Sequence, residues 1–204
     1  MNEQNTGFRH PTRLTHWTKG FLCAYAVVMF FVFMQSGGTL FGYAHEAWLP
    51  RFLPEDWQPV GRIAAMGSLV LLLVWTHRAN CNARALGASG LRFTPGAAIG
   101  WYFVPIAWFW KPFQAMREIW KASSRPADWE DRQASALLGW WWGLWLLALW
   151  GGFLAQEVTI RKWGTVGAAA ADFGRAIFAI PATLILIAII TDIHRMQTDH
   201  YLGD

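Results

Sequence analysis

Apolar residues gather into four long blocks separated by polar stretches, and the block lengths suit helices that cross a membrane. Residues 17–35 (WTKGFLCAYAVVMFFVFMQ), 60–76 (VGRIAAMGSLVLLLVWT), 135–156 (opening SALLGWWWGLWLLALW) and 173–190 each approach the ~20 residues of helix needed to span a hydrocarbon core. The pair Gly37-Gly38 is expected to end the first block, and His77-Arg78-Ala79-Asn80 marks a switch to polar character after the second. Residues 38–59 hold Pro50, Pro54 and Pro59, which argue against a long helix; a short interfacial turn is expected over 45–52. Residues 124–135 read as a solvated loop whose Asp128, Glu130 and Asp131 sit near the start of the next helix, where carboxylates suit the dipole. A further connection is expected over 157–172.

Residues 94–123 (TPGAAIGWYFVPIAWFWKPFQAMREIWKAS) fit neither pattern. The first part is apolar and aromatic, but Pro105 sits mid-run and Lys111-Pro112 interrupts the far end. From 113 to 121 the stretch turns amphipathic, with Phe113, Met116, Ile119 and Trp120 on one face and Gln114, Arg117, Glu118 and Lys121 on most of the other. Interfacial anchoring is the expected role of that helix, with docking of a partner as the sharper alternative. Trp101, Pro105, Trp108, Trp110, Pro112, Met116 and Trp120 are the residues expected to decide how the stretch meets the membrane.

Topology turns on whether 94–123 crosses. If it stays on the cytoplasmic side with the N-terminus, only Arg51, Arg62, Arg161, Lys162 and Arg175 face outward, and the other twelve of the 17 Lys and Arg face inward. If it crosses, the division becomes nine against eight. The positive-inside rule favours the first arrangement. The expected fold is therefore all-α: one integral membrane domain over 1–204, with four transmembrane helices plus one re-entrant or interfacial segment at 94–123. Both termini are expected to be cytoplasmic, with the domain in an inner (cytoplasmic) membrane. The polar residues 1–17 lack the apolar run of a cleavable signal, so insertion is expected to rest on the first span.

Composition agrees. Hydrophobic residues make up 54% and charged ones 15%, a balance unusual for a soluble chain of this length. The fifteen Trp suit interfacial belts. A formal charge of +4 then reads as loops facing anionic lipid, and no base-reading or phosphate-cradling motif points to nucleic acid. Cys23 and Cys81 give no disulfide framework. Gly139 and Gly143 are spaced for close helix approach in lipid. Two blocks open on Gly-Arg (Gly61-Arg62, Gly174-Arg175) and close on His-Arg (His77-Arg78, His194-Arg195), a faint sign of a duplicated hairpin.

The chemistry is sparse. His16, His77 and His194 fall at the cytoplasmic ends of three spans, a level at which imidazoles can ligate haem iron or a transition metal; wetted interfacial histidines are the plainer reading. Asp192 is expected to pair with Arg78 and Asn80. No span core carries a carboxylate, which argues against ion-coupled transport. No nucleophile with a local base, paired catalytic carboxylates or phosphate loop is evident, so enzyme activity is not expected.

The stretches VWTHRANCNARALG, residues 94–123 and LGWWWGLWLL resemble a bacterial family of multi-span membrane proteins, domain of unknown function 4328, over roughly 60–197. The resemblance implies a polytopic bacterial membrane protein and brings no activity with it. Arg13-Leu14-Thr15-His16-Trp17 leading into an apolar helix is similar to the first helix of b561-type cytochromes. The leading expectation is a non-enzymatic accessory or structural subunit without a cofactor, partnered by membrane lipids and other membrane-protein subunits. A b-type haem or metal electron-transfer protein using His16, His77 and His194 is one alternative. A lipid or small-molecule binder with a pocket under 94–123 is the other.

Overall fold

A computed structural model describes residues 7–42 and 58–203, with backbone only at 58 and 151–162. Among the described residues every regular element is helical: α1 (Thr12–Phe41), α2 (Gln58–Ala85), α3 (Pro95–Gly100), α4 (Lys111–Ser124) and α5 (Ala136–Gly203), with 3-10 turns at Trp101–Phe103 and Ala107–Phe109. Among the described residues three helices are long and apolar enough to cross a membrane, Thr12–Phe41, Pro59–Ala85 and Trp163–Gly203, and Ala136–Trp150 is a shorter apolar one. The protein is a helical membrane protein. Residues 94–123 divide into short pieces. The turn expected over 45–52 lies outside the described residues.

Several helices run past the ends expected from sequence. α1 continues through Gly37 and Gly38 to Phe41, and Gly42 N–H then donates to the Gly38 carbonyl at 2.9 Å. Glycine weakens a helix in water by about 1 kcal/mol, but away from water an open helix end leaves carbonyls unsatisfied at several kcal/mol each, so the helix persists. α2 likewise passes through His77-Arg78-Ala79-Asn80 and takes Cys81 with it. The acids Asp128, Glu130 and Asp131 precede α5 rather than entering its first turn; Ser135 Oγ accepts the Leu137 amide there instead, at 3.3 Å.

The connection expected over 157–172 is also helical, apart from Gly164 with φ 55° and ψ −127°. Ala148 and Ala179 nevertheless share one buried cluster. A straight helix would hold them about 46 Å apart at 1.5 Å per residue. α5 is therefore two arms folded back on each other at Gly164, where glycine supplies a backbone conformation that side chains resist.

The chain forms two compact units. One comprises Phe21–Gly67 and Trp140–Ile185. Its core joins Val28, Met29 and Val32 of α1 to Ala148 and Ala179 of the two α5 arms, and Phe33 stacks on Phe173 at 4.6 Å. α2 approaches α1 closely: a Cβ at Gly67 would lie 2.6 Å from the Phe21 ring. Gly139 and Gly143, by contrast, face open space and make no close helix contact.

The other unit comprises the described residues up to Gly20, Ser68–Gly139 and those from Leu186 onward, so the whole of α3 and α4 belongs to it. Its interior is unusually polar. Thr15, Asn80, Asn82, Glu118, Ser123 and Gln197 are buried beside Trp75, Met116, Ile119 and Ile193. A buried polar group costs several kcal/mol unless it is hydrogen-bonded, so the bonding of these groups defines the unit.

Candidate functional site

Hydrogen bonds first tie the helix ends together. Trp75 Nε1 of α2 donates to Thr15 Oγ1 of α1 at 3.0 Å. Asn82 donates to the Arg9 carbonyl at 3.1 Å and accepts the Arg9 amide at 3.2 Å. Gln197 Nε2 of α5 donates to the Ala79 carbonyl and to Ser123 Oγ, both at 2.9 Å, joining α5 to α2 and α4. Lys19 Nζ reaches Thr191 Oγ1 at 3.3 Å.

On this frame the loop between α2 and α3 is pinned from two sides. Glu118 of α4 accepts the Arg92 amide on Oε2 and the Phe93 amide on Oε1, each at 3.0 Å. Asn80 Nδ2 and Arg84 Nη2 donate to the Phe93 carbonyl at 3.1 and 2.9 Å, Arg84 Nη2 also reaches the Leu91 carbonyl at 3.2 Å, and Arg84 Nε donates to Asn80 Oδ1 at 3.1 Å. Trp129 Nε1 holds the Ser89 carbonyl at 2.7 Å. Charge-assisted bonds of this kind contribute about 1.5–3 kcal/mol each, against 0.5–1.5 for neutral ones.

The pinned loop, α3 and α4 enclose an open cleft of about 700 Å³. Its charged lining is mixed, with Arg92, Lys111, Arg117 and Lys121 set against Glu118, Glu130 and Asp131. Glu118 spends its charge on backbone amides. The Lys111 ammonium is held over two rings, 5.5 Å from the Trp101 centroid and 5.6 Å from that of Phe93. The Lys121 ammonium lies over Trp129 at 5.6 Å and donates to the Glu130 carbonyl at 2.6 Å. Thr94 starts α3 by accepting the Ala97 amide on its hydroxyl at 3.2 Å, with Pro95 pre-shaped for the first turn.

Between the cleft walls Trp101 and Lys111 the chain makes an apolar protrusion. Phe103, Val104, Ile106 and Trp110 are exposed, Ile106 at 70%. Its apex is a γ-turn: the Ala107 amide donates to the Pro105 carbonyl at 2.8 Å, and Ile106 takes φ 67°, ψ −52°. A β-branched residue at positive φ costs about 1–3 kcal/mol. Beside this turn the Tyr102 hydroxyl is buried without a partner, and burial pushes its phenol above the ordinary tyrosine range.

The residues singled out from sequence separate in space. Trp101 lines the cleft, Pro105 and Trp110 belong to the exposed protrusion, and Trp108 is half-buried against Phe109. Pro112 and Met116 are buried and Trp120 half-buried, so α4 turns its apolar face inward on protein. Glu118 shares that buried face with Ala115 and Ala122, where sequence had set it on the polar side. His16 is exposed on α1; His77 and His194 are half-buried, each with a buried Nδ1 that has no partner. Among the described residues no group of three or more His, Cys, Asp or Glu is placed to hold a metal ion. Asp192 pairs within its own helix, with Arg195 at 3.6 Å, while Asn80 is committed to the loop; the expected pairing with Arg78 does not form.

The profile of a family described as Domain of unknown function (DUF4328) matches residues 60–195, which take in the pinned loop, the cleft and the protrusion. No curated protein and no solved structure matches the chain significantly.

Proposed function

Because the chain belongs to the family described as Domain of unknown function (DUF4328), we propose a reading from its own geometry: a four-span inner-membrane protein that binds a ligand in the cleft beside α4. This reading takes the two α5 arms as the third and fourth spans, and the charge asymmetry of the loops supports both termini and residues 94–123 on the cytoplasmic side. The observation that carries the binding reading is the cleft itself. Its volume of about 700 Å³ lies within the ~300–1,000 Å³ of ligand sites, and it carries convergent charged groups between aromatic walls on a rigid frame. Native mass spectrometry of the full chain released from host membranes in mild detergent tests it. One retained small molecule per chain is expected; bare protein at every detergent strength would contradict binding. An accessory role in a larger membrane complex is compatible with this reading, and stoichiometric partners in a mild-detergent pull-down would support it.

A haem b reading draws on one observation, the unpartnered buried Nδ1 atoms of His77 and His194. A Soret band in the purified protein that disappears on His77→Ala would favour it over the ligand-binding reading.

A further inference from the structure

We infer that the cleft takes the phosphate of an anionic, hydroxyl-bearing lipid headgroup, drawn from the leaflet that the 103–110 protrusion enters. The inference rests on the binding reading above and supplies its ligand class. The lining cations differ in what they have left to give. Lys121 is occupied by Glu130 and Trp129, and Lys111 is fixed over Trp101 and Phe93. Arg92 and Arg117 are exposed residues of the cleft lining, and the ion pairs found among the described residues, Arg175 with Asp172 and Arg195 with Asp192, involve neither. Glu118, the buried carboxylate nearest in sequence to Arg117, is turned to the loop amides. Two arginines in the lining of one cleft suit a phosphate, whose oxygens match the planar fork of a guanidinium.

Lipid is favoured as the source by what joins the cleft walls. The chain from Trp101 to Lys111 carries Phe103 and Ile106, exposed at 69% and 70%, on an apex held by the strained γ-turn. Such a side-chain set buries itself ~5–10 Å into the boundary between headgroups and acyl chains. Trp101 and Lys111, at its two ends, then lie at phosphate depth. Glu130 and Asp131 complete the lining with acceptors for headgroup hydroxyls and repel polyanions; an ammonium headgroup would suit them as well, so the preference for an anionic lipid rests on Arg92 and Arg117.

The test offers the full-length protein phosphatidylglycerol, phosphatidylethanolamine and phosphatidylcholine in equal amounts and reads the retained lipid by native mass spectrometry. Phosphatidylglycerol is expected to exceed each of the others by about tenfold, a ratio that loss of one or two charge-assisted bonds would erase. Arg92→Ala/Arg117→Ala should bring the three lipids to parity. Arg125→Ala/Arg132→Ala, which removes the same charge from the adjacent loop, should leave the preference intact. Parity in the wild type, or a preference surviving Arg92→Ala/Arg117→Ala, overturns the inference while leaving ligand binding standing. Displacement of the lipid by millimolar inorganic phosphate would overturn the lipid source. Absence of any adduct would instead remove the binding reading itself.

Discussion

Glu118 accepts the amide of Phe93 at 3.0 Å across 25 residues of chain, with its other oxygen on the neighbouring amide of Arg92. One buried carboxylate thus fixes the loop that forms a wall of the cleft. Glu118→Gln replaces one acceptor with a donor that faces an N–H, and should lower stability by about 1–3 kcal/mol. Glu118→Ala should cost at least as much and detach the loop. Thermal unfolding in detergent checks both; an unchanged melting temperature in Glu118→Ala would mean the loop is held without it.

Gly67→Ala should be destabilising by about 1–3 kcal/mol, since the new methyl meets the Phe21 ring at 2.6 Å. Adding Phe21→Leu should recover much of the loss, because it removes the obstructing ring. The same unfolding assay reads both, and equal melting of Gly67→Ala and wild type would place α1 and α2 further apart there.

Ile106→Gly should leave the fold as stable or up to about 1 kcal/mol more stable, because glycine relieves the positive-φ strain. It should also weaken insertion of the protrusion into lipid. Quenching of Trp110 by brominated lipid, in a background with the other accessible tryptophans replaced, reads that insertion. Undiminished quenching would place Ile106 away from the acyl chains.

With Cys23 and Cys81 replaced, Asp128→Cys and Leu202→Cys should label from the cytoplasmic side, and Thr165→Cys, beside the Gly164 break, from the opposite side. All three are exposed positions. Labelling of Asp128→Cys and Leu202→Cys from opposite faces would mean an odd number of crossings lies between them.

The long apolar blocks were legible because block length and composition alone demand a spanning helix. Their ends were not. Gly37-Gly38 and the polar run from His77 are stop signals in water, overridden where the helix ends pack on protein and lipid. The fold-back between the two α5 arms was legible as a polar connection holding Arg161 and Lys162, but not that its backbone stays helical on either side of Gly164. At the cleft, the basic amphipathic character of 113–121 was visible, but Glu118 was set on the wrong face. Its burial is dictated by a loop that returns from 25 residues upstream, which local periodicity does not register. A trace existed: Glu118 lies on one stripe with the small residues Ala115 and Ala122, where a buried carboxylate has room for partners. Asn80 and Arg84, at i, i+4 beyond an apolar block, were a similar unread sign that α2 continues. The γ-turn at Ile106 had no sequence signature, since a β-branched residue argues against positive φ.

The most direct test of a ligand-holding cleft at the membrane surface is photo-crosslinking from within it. Gln114 is exposed and lines the cleft, so Gln114→p-benzoylphenylalanine places the probe there, and Arg132→p-benzoylphenylalanine is an exposed control on the adjacent loop. Irradiation in host membranes followed by intact mass analysis should give an adduct of one lipid-sized mass at 114 and little at 132. Equal adducts at both positions, or none at 114, would contradict the account.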